Sequence, residues 1–141
     1  MQKRFTALVI DAQGGGIGRQ LVSGIKHALP DAYVLAVGTN TSATSAMLKA
    51  GADEAATGEN SVLVACRKAD VIVGPLGIVV ADSMLGEITP IMASAVAQAS
   101  AQRVLIPFSF CDTHIVGASG ANTTQLVGEA IRMVALIAQG A

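Results

Sequence analysis

A run of glycines near the start of the sequence is the feature best suited to holding a ligand. Residues 14–18 are all glycine except Ile17, and they follow an apolar segment at residues 5–10. An amphipathic segment begins at Ile17, so the run joins a predicted strand to a predicted helix. Such a turn presents backbone N–H groups and the positive end of a helix dipole at one point. We therefore predict that it binds an anionic group such as a phosphate.

The spacing of these glycines matches known phosphate-binding loops only in part, so it indicates a class of ligand but does not identify the ligand. Gly14 and Gly16 fit the dinucleotide pattern G-x-G-x-x-G, but Arg19 stands at its last position. Arg19 can neutralise a phosphate as the P-loop lysine does, yet Gln20 replaces the hydroxyl residue that holds Mg²⁺. We expect phosphate binding without ATP hydrolysis; the alternative is that the glycines only allow close helix packing. The predicted ligand contacts in this loop are Gln13, Gly14, Gly15, Gly16, Ile17, Gly18 and Arg19.

Two further loops are expected to complete the ligand site. Thr39 and Asn40 follow the second predicted strand, where NAD-binding domains carry an acidic residue for the ribose. The lack of an acid there counts against NAD and leaves NADP or another nucleotide open. The polar residues of this loop can bind a phosphate or simply cap the next helix; they are Thr39, Asn40, Thr41 and Ser42. Gly74, Pro75 and Gly77 follow a later strand and are predicted to face the glycine run.

Few side chains are candidates for catalysis, and no motif names a reaction. Cys111 and His114 can form a thiolate–imidazole pair or supply two metal ligands. No second Cys/His pair completes a zinc set, so we predict no metal site. Asp11, at the start of the glycine run, and Asp82 are the remaining catalytic candidates. Whether the protein is an enzyme stays open.

Two other residues are interpreted mainly as structural. Asp82 and Glu87 are the only charged residues between 71 and 102, so each is either a solvent-exposed loop residue or a site residue. For Glu87 we favour the exposed interpretation, in which it favours the start of the next helix, and it is a further acid–base candidate if the protein is an enzyme. Cys66 follows Val62 at helical spacing and is interpreted as a small core residue.

The elements that must position these residues alternate along the whole chain. Strands are predicted at residues 5–10, 33–37, 53–56, 71–73 and 103–108, with a sixth considered at 115–116, while 78–89 is left unassigned. Helices are predicted at residues 17–29, 43–50, 60–68, 90–101 and 123–139. The predicted caps of the last three helices are Asn60 or Ser61, Thr89 and Asn122.

This alternation predicts an α/β fold: a three-layer, Rossmann-like doubly wound sandwich around a mostly parallel sheet of five or six strands. We expect one domain over residues 1–141. In such a sheet, ligands bind at the carboxyl ends of the strands beside the point where the strand order reverses. That point is predicted to lie between the first and fourth strands.

The composition bears on partners and location. The net charge of −1 and the 3% of aromatic residues argue against nucleic-acid binding. No apolar run is long enough to span a membrane, two cysteines do not make a disulfide framework, and the start is too short for a signal peptide, so we expect a cytoplasmic protein.

The proportion of charged residues also bears on assembly. Charged residues make up 13% of the chain, against about 25% in an average globular protein. The predicted helix at 123–139 has only a narrow polar stripe. We therefore predict a homo-oligomer through this helix or the one at 90–101, the alternative being that other helices of the same chain cover the surplus apolar surface.

Several short motifs together carry a resemblance to a known family. They lie at residues 11–20, 38–40, 47–54, 57–60, 74–75 and 84–90. The chain resembles a family of short bacterial proteins, a domain of unknown function with a loop of the type G-Q-G-G-G-I-G-K. Here Ala12 and Arg19 stand in place of the usual glycine and lysine. The resemblance implies a Rossmann-like fold and no known activity.

Three functions therefore remain open from the sequence. The first is a module that binds a nucleotide or a phosphorylated small ligand. The second is a small NADP-dependent or phospho-substrate enzyme whose site is completed by oligomerisation. The third is a structural or regulatory oligomer without catalytic activity.

Overall fold

A five-stranded parallel sheet forms the centre of the fold. The structure is a computed structural model, and it describes residues 3–107, 113–118 and 120–140. The strands are β1 (Thr6–Asp11), β2 (Tyr33–Gly38), β3 (Glu54–Thr57), β4 (Val71–Pro75) and β5 (Gln102–Ile106). They lie in the order β3-β2-β1-β4-β5, and every neighbouring pair is parallel. This confirms the predicted α/β, Rossmann-like sandwich.

Five helices cover the two faces of the sheet. They are α1 (Gly16–Ala28), α2 (Thr41–Lys49), α3 (Glu59–Lys68), α4 (Pro90–Gln98) and α5 (Thr123–Ala138). The apolar faces of α1, α2 and α5 share one core cluster with β1 residues Ala7 and Val9. Those of α3 and α4 share a second cluster with Leu8 and Ile10, because successive side chains of a strand point to opposite faces. Burial on both faces is why β1 is a continuous apolar run.

Several predicted boundaries differ from the structure. Helix α3 begins at Glu59 with Gly58 as its N-cap, so neither Asn60 nor Ser61 caps it. Residues 115–116 form no strand, while the unassigned segment starts with a short 3₁₀ helix at Leu76–Val79. Strand β5 ends at Ile106 and α4 at Gln98, each earlier than predicted.

Two of the predicted caps are confirmed by hydrogen bonds. Thr89 accepts from the Met92 N–H at the start of α4, next to Pro90 in the first turn. Asn122 and Gln125 form a reciprocal capping box at the start of α5. Both helices therefore start where short-range sequence chemistry predicts.

Helices α2, α3 and α4 each expose one large apolar side chain, namely Leu48, Val64 and Ile91, and α5 exposes two. Helix α5 buries Val127, Ala130 and Val134, whereas Met133 and Leu136 are 53% and 50% exposed. Within residues 3–107, 113–118 and 120–140, no helix has the length and hydropathy needed to cross a lipid bilayer.

Candidate functional site

The carboxyl ends of β1 and β4 lie side by side where the strand order reverses. From β1 the chain runs through α1 to β2 on one side, and from β4 it runs through α4 to β5 on the other. This is the switch point predicted from the sequence, and open α/β sheets bind their ligands in the crevice outside it. The glycine loop between β1 and α1 leaves the sheet at this point.

Two glycines of the loop are required by packing. A Cβ atom on Gly15 would lie 2.8 Å from the Ala43 Cα, and the backbone of Gly15 has a φ of +74°. A Cβ atom on Gly18 would lie 2.6 Å from the Met47 Sδ and 2.8 Å from the Asp11 Cβ. These two positions let α1 approach α2 and β1 closely, so the packing interpretation accounts for them.

The other two glycines have no packing role. Gly14 and Gly16 are exposed, and a Cβ atom on either would meet no atom within 4 Å. Neither backbone lies in the left-handed region. Close helix packing therefore does not account for the absence of side chains at these two positions.

Asp11 supports the loop from beneath. Its side chain is buried, and its two carboxylate oxygens accept the N–H groups of Ala12 at 2.8 Å and Gly18 at 2.6 Å. The N-cap residue of α1, Gly15, has no side chain to do this. Burial raises the pKa of Asp11, the two N–H groups oppose that shift, and the nearby charge of Glu87 adds to it. One of the helix donors predicted for a ligand is thus already bound to Asp11.

Glu87 is half-buried and contacts both the glycine loop and the residues that follow β2. Its Oε1 accepts the Gln13 N–H at 2.9 Å, the Thr39 hydroxyl at 2.5 Å and the Asn40 amide at 2.8 Å. The Thr39 hydroxyl is the largest cause of a lowered Glu87 pKa, and the Gln13 N–H and the Asn40 amide also lower it. The interpretation of Glu87 as a residue that flanks the next helix in solvent did not anticipate these contacts with the two loops. Its isolation in an apolar stretch was the signal available in the sequence.

The segment that carries Glu87 has a strained backbone. Asp82, Met84 and Leu85 all have φ between +56° and +65°. Each non-glycine residue in this region costs about 1 kcal/mol or more, and such residues persist only where the surroundings hold them. The Ser83 hydroxyl donates to the Gly77 carbonyl at 2.6 Å, and the Asp82 N–H donates to the Ile88 carbonyl at 2.7 Å. These bonds position Glu87 against the glycine loop.

Asn40 has the capping role considered from the sequence, and its amide is bound within the protein. Its Oδ1 accepts the Ala43 N–H and caps α2, while its Nδ2 donates to Glu87 and to the Gln13 carbonyl. Gln13, Thr39 and Asn40 are therefore brought together, as predicted, but around an internal carboxylate.

The residues after β4 are buried rather than open to a ligand. Gly74 and Pro75 end the strand, and Gly77 lies in the 3₁₀ helix; all three are buried. A Cβ atom on Gly74 would lie 2.5 Å from the Ile10 carbonyl oxygen, which explains that glycine by strand packing. Contact with the glycine loop comes from Glu87, further along the same connection.

The catalytic candidates are not assembled into one group. Asp82 and His114 are exposed, whereas Asp11 is buried beneath the loop. Cys111 lies outside the described residues. Cys66 is buried in the core as predicted, and burial raises the pKa of its thiol to about 11. Among the residues that the structure describes, no three His, Cys, Asp or Glu side chains form a metal-binding group.

The sequence did not anticipate the surface cavities in the described part of the chain, two of which are considered for the site. One, of about 520 Å³, lies between α1 and α2 beside the glycine loop, and its lining includes Gly14, Arg19, Ser42, Ser45 and Lys49. The other, of about 670 Å³, lies at the start of α5 between residues that include Glu129 and Arg132. We call the first cavity the α1–α2 groove. Only this one borders the predicted loop.

Comparison with solved structures finds similar chains at low sequence identity, and the one with a TM-score above 0.5 shows a shared fold. A dodecameric FMN-dependent UbiX-like decarboxylase from Escherichia coli O157:H7 is 14% identical, with a TM-score of 0.51 over 96% of this chain and 94% of that one. A universal stress protein in complex with cAMP is 16% identical, with a TM-score of 0.42 over 74% and 98% of the two chains. A putative epimerase from Bacteroides thetaiotaomicron is 15% identical, with a TM-score of 0.47 over 95% and 64%.

Comparison of sequences places the chain in a family without a known activity. No curated protein matches it. Residues 6–139 match the domain of unknown function DUF3842, and because the match covers nearly the whole chain, the protein belongs to that family.

Proposed function

We propose that this DUF3842 protein binds a nucleotide or another phosphorylated small ligand at its glycine-rich loop, residues 13–19. The observation that carries the proposal is the exposed backbone at Gly14 and Gly16, beside the switch point, where packing does not require glycine. Glycine at such positions lets a ligand approach the backbone closely. The FMN dependence stated in the name of the Escherichia coli neighbour is consistent with a phosphorylated ligand on this fold.

Glu87 favours a ligand that also carries hydroxyl groups. Its carboxylate lies against Thr39 at the end of β2, where NAD-binding domains place the acid that binds ribose. The sequence argument against NAD rested on the lack of an acid in that loop, and Glu87 supplies one from 48 positions further along. We therefore include NAD with NADP and other nucleotides as candidates, with the ribose beside Glu87.

We assign Asp11 a supporting role rather than a catalytic one. Both of its carboxylate oxygens accept backbone N–H groups, and the side chain is buried. Its function is to hold the start of α1 in place. We therefore propose binding as the function of the site, in a cytoplasmic protein formed by one domain.

A thermal-shift screen with wild-type protein and a Gly16→Val variant tests the proposal. The ligands are NAD, NADP, ATP, GTP, FMN, coenzyme A and sugar phosphates. A ligand at one hundred times its Kd stabilises the native state by about 2.7 kcal/mol, which raises Tm by several degrees in a domain of this size. We expect at least one ligand to do so, and Gly16→Val to abolish the shift.

Gly128→Val is the matched control, because Gly128 lies on α5 and a Cβ atom there also meets no atom within 4 Å. It should keep the full ligand-induced shift. If no ligand moves the Tm of the wild-type protein, or if Gly16→Val shifts as the wild type does, the proposal is wrong.

We also propose that the protein assembles through α5. Two large apolar residues, Met133 and Leu136, are exposed on α5, whereas α4 exposes one, Ile91, and this difference supports α5 over α4. Light scattering at micromolar concentration should give a mass above 14.2 kDa, and a Met133→Lys/Leu136→Lys double variant should give the monomer mass. A monomeric wild type would refute this assembly.

A further inference from the structure

The α1–α2 groove has the chemistry of an anion site. Arg19 comes from the first turns of α1, and Lys49 is the last residue of α2. Both line the same cavity of about 520 Å³, and its lining contains no acidic residue among those the structure describes. The two ion pairs found in the described chain, Lys3 with Asp70 and Lys26 with Asp53, include neither of these cations. Two positive charges therefore face one groove without an internal counter-charge.

The position of Arg19 near the start of α1 is slightly unfavourable by itself, and a bound anion would offset this. A cation close to the amino end of a helix meets the positive end of the helix dipole. Lys49 by itself would need no ligand, because the dipole favours a cation at the end of α2. The two cations together, from opposite ends of two neighbouring helices, suit an anion bound between them.

The rest of the groove supplies neutral hydrogen-bond donors and an exposed stretch of backbone that a ligand can approach. Ser42 and Ser45 contribute hydroxyl groups, and neither takes part in a side-chain hydrogen bond within the described part of the chain. The exposed backbone of Gly14 forms the edge that the groove shares with the glycine loop. Cations, hydroxyls and an open backbone are the groups that bind a phosphate.

The neighbouring crevice is unsuited to the same group. The hydroxyl of Thr39 and the amide of Asn40 already donate to Glu87, whose lowered pKa keeps it charged at neutral pH. A phosphate there would have to displace this carboxylate or lie beside it. The expectation that Thr39 and Asn40 bind the phosphate therefore does not fit the geometry.

We infer that the α1–α2 groove binds the phosphate group of the ligand, held by Arg19 and Lys49 with the hydroxyls of Ser42 and Ser45. This inference rests on the proposed function and deepens it: the ligand is a phosphate ester that places its phosphate on the helix side of Gly14. Its hydroxyl-bearing part lies in the crevice beside Glu87.

Inorganic phosphate is the probe that tests the groove without knowledge of the full ligand. It is titrated into ¹⁵N-labelled protein at constant ionic strength, with sodium chloride as the reference salt. We expect saturable amide shifts at Gly14, Ser42 and Ser45 that chloride does not produce. Shifts centred on Gln13, Thr39 and Asn40, or no saturable shift, would overturn the inference.

Charge-removing variants give the second part of the test. Arg19→Gln and Lys49→Gln should each weaken phosphate binding about fivefold, or on the order of 1 kcal/mol. Arg67→Gln, which removes an exposed cation from α3, should leave it unchanged. Equal weakening by all three variants would indicate general charge attraction and refute the site.

The same variants separate this inference from the proposed function. If a nucleotide stabilises the wild type, loses its effect in Gly16→Val and keeps full affinity in both charge variants, the proposed function stands and the groove does not hold the phosphate. If phosphate binds in the groove but no nucleotide or sugar phosphate stabilises the protein, the groove stands and the proposed ligand class is wrong.

Discussion

The glycine loop contains two kinds of glycine that look identical in the sequence. Gly15 and Gly18 lie against Ala43, Met47 and Asp11, where a Cβ atom would come within 3 Å of other atoms. Gly14 and Gly16 alternate with them and face open space. The first pair allows α1 to pack, whereas the second pair leaves the backbone accessible. The glycines of this run thus have two separate roles, helix packing and backbone access, and substitutions can distinguish them.

Gly15→Val should have the largest effect on stability. The new Cβ would lie 2.8 Å from the backbone of Ala43, and a β-branched residue would have to adopt a φ of +74°. Left-handed strain costs about 1–2 kcal/mol and overpacking a further 1–3 kcal/mol. We expect the free energy of unfolding, measured with urea, to fall by about 3 kcal/mol or more. A loss below about 1 kcal/mol would remove the distinction between the two pairs.

Asp11→Asn should have the next largest effect. The amide offers one oxygen in place of two, so either the Ala12 or the Gly18 N–H loses its acceptor. An unpaired buried donor costs about 1–3 kcal/mol, and urea unfolding at pH 7 measures it. Because burial raises the pKa of Asp11, the wild type loses stability relative to the variant as pH rises through the folded-state pKa. The loss in free energy of unfolding caused by Asp11→Asn should therefore be larger at acid pH than at pH 7.

Glu87→Gln should have a smaller effect with the opposite pH dependence. The lowered pKa means that the charged Glu87 stabilises the native state above its ordinary pKa, and that this stabilisation is lost as pH falls through the folded-state value. We expect the free energy of unfolding of Glu87→Gln, measured with urea, to be about 1 kcal/mol below that of the wild type at pH 7. This difference should shrink below about pH 4.3.

Glu129→Gln, an exposed glutamate on α5, is the control for this pair of carboxylates and should show no such deficit. Deficits of Asp11→Asn and Glu87→Gln that change with pH in the same direction would contradict the opposite pKa shifts assigned to the two groups.

Gly14→Ala and Gly16→Ala should have the smallest effects on folding. Neither residue needs a positive φ, and neither new Cβ meets another atom. Such changes leave stability within about 0.5 kcal/mol or raise it by up to about 1 kcal/mol, because the unfolded chain becomes less flexible. Urea unfolding of Gly14→Ala, Gly16→Ala and Gly15→Val under the same conditions compares their free energies of unfolding directly. Destabilisation by more than about 1 kcal/mol at either position would indicate a packing role that the open space does not suggest.

The fold could be predicted from the sequence because its signals are local and repeated. The apolar runs of β1, β2 and β4 and the caps at Thr89 and Asn122 follow from residue types within a few positions. The position of the switch point then follows from right-handed crossovers. Residues 115–116 failed as a strand because a short apolar pair carries no periodicity that separates a strand from a turn.

The site was only partly predictable because its contacts are long-range. Glu87 reaches Thr39 across 48 positions, and only the three-dimensional path of residues 80–88 brings them together. The difference between Gly14 and Gly15 depends on Ala43, which arrives with the next crossover helix. Local spacing indicates that a loop can hold a ligand, but not which of its donors are already taken.

Asp11 has a consequence for the thermodynamics of recognition. Since this carboxylate anchors the amino end of α1 from inside, the loop keeps its shape in the empty protein. An incoming molecule then meets a surface that is already ordered, and little conformational entropy is lost when it binds. The affinity of the protein is therefore not reduced by the cost of ordering this loop, and the ligand's contacts have to offset only its own loss of freedom and the desolvation of polar groups.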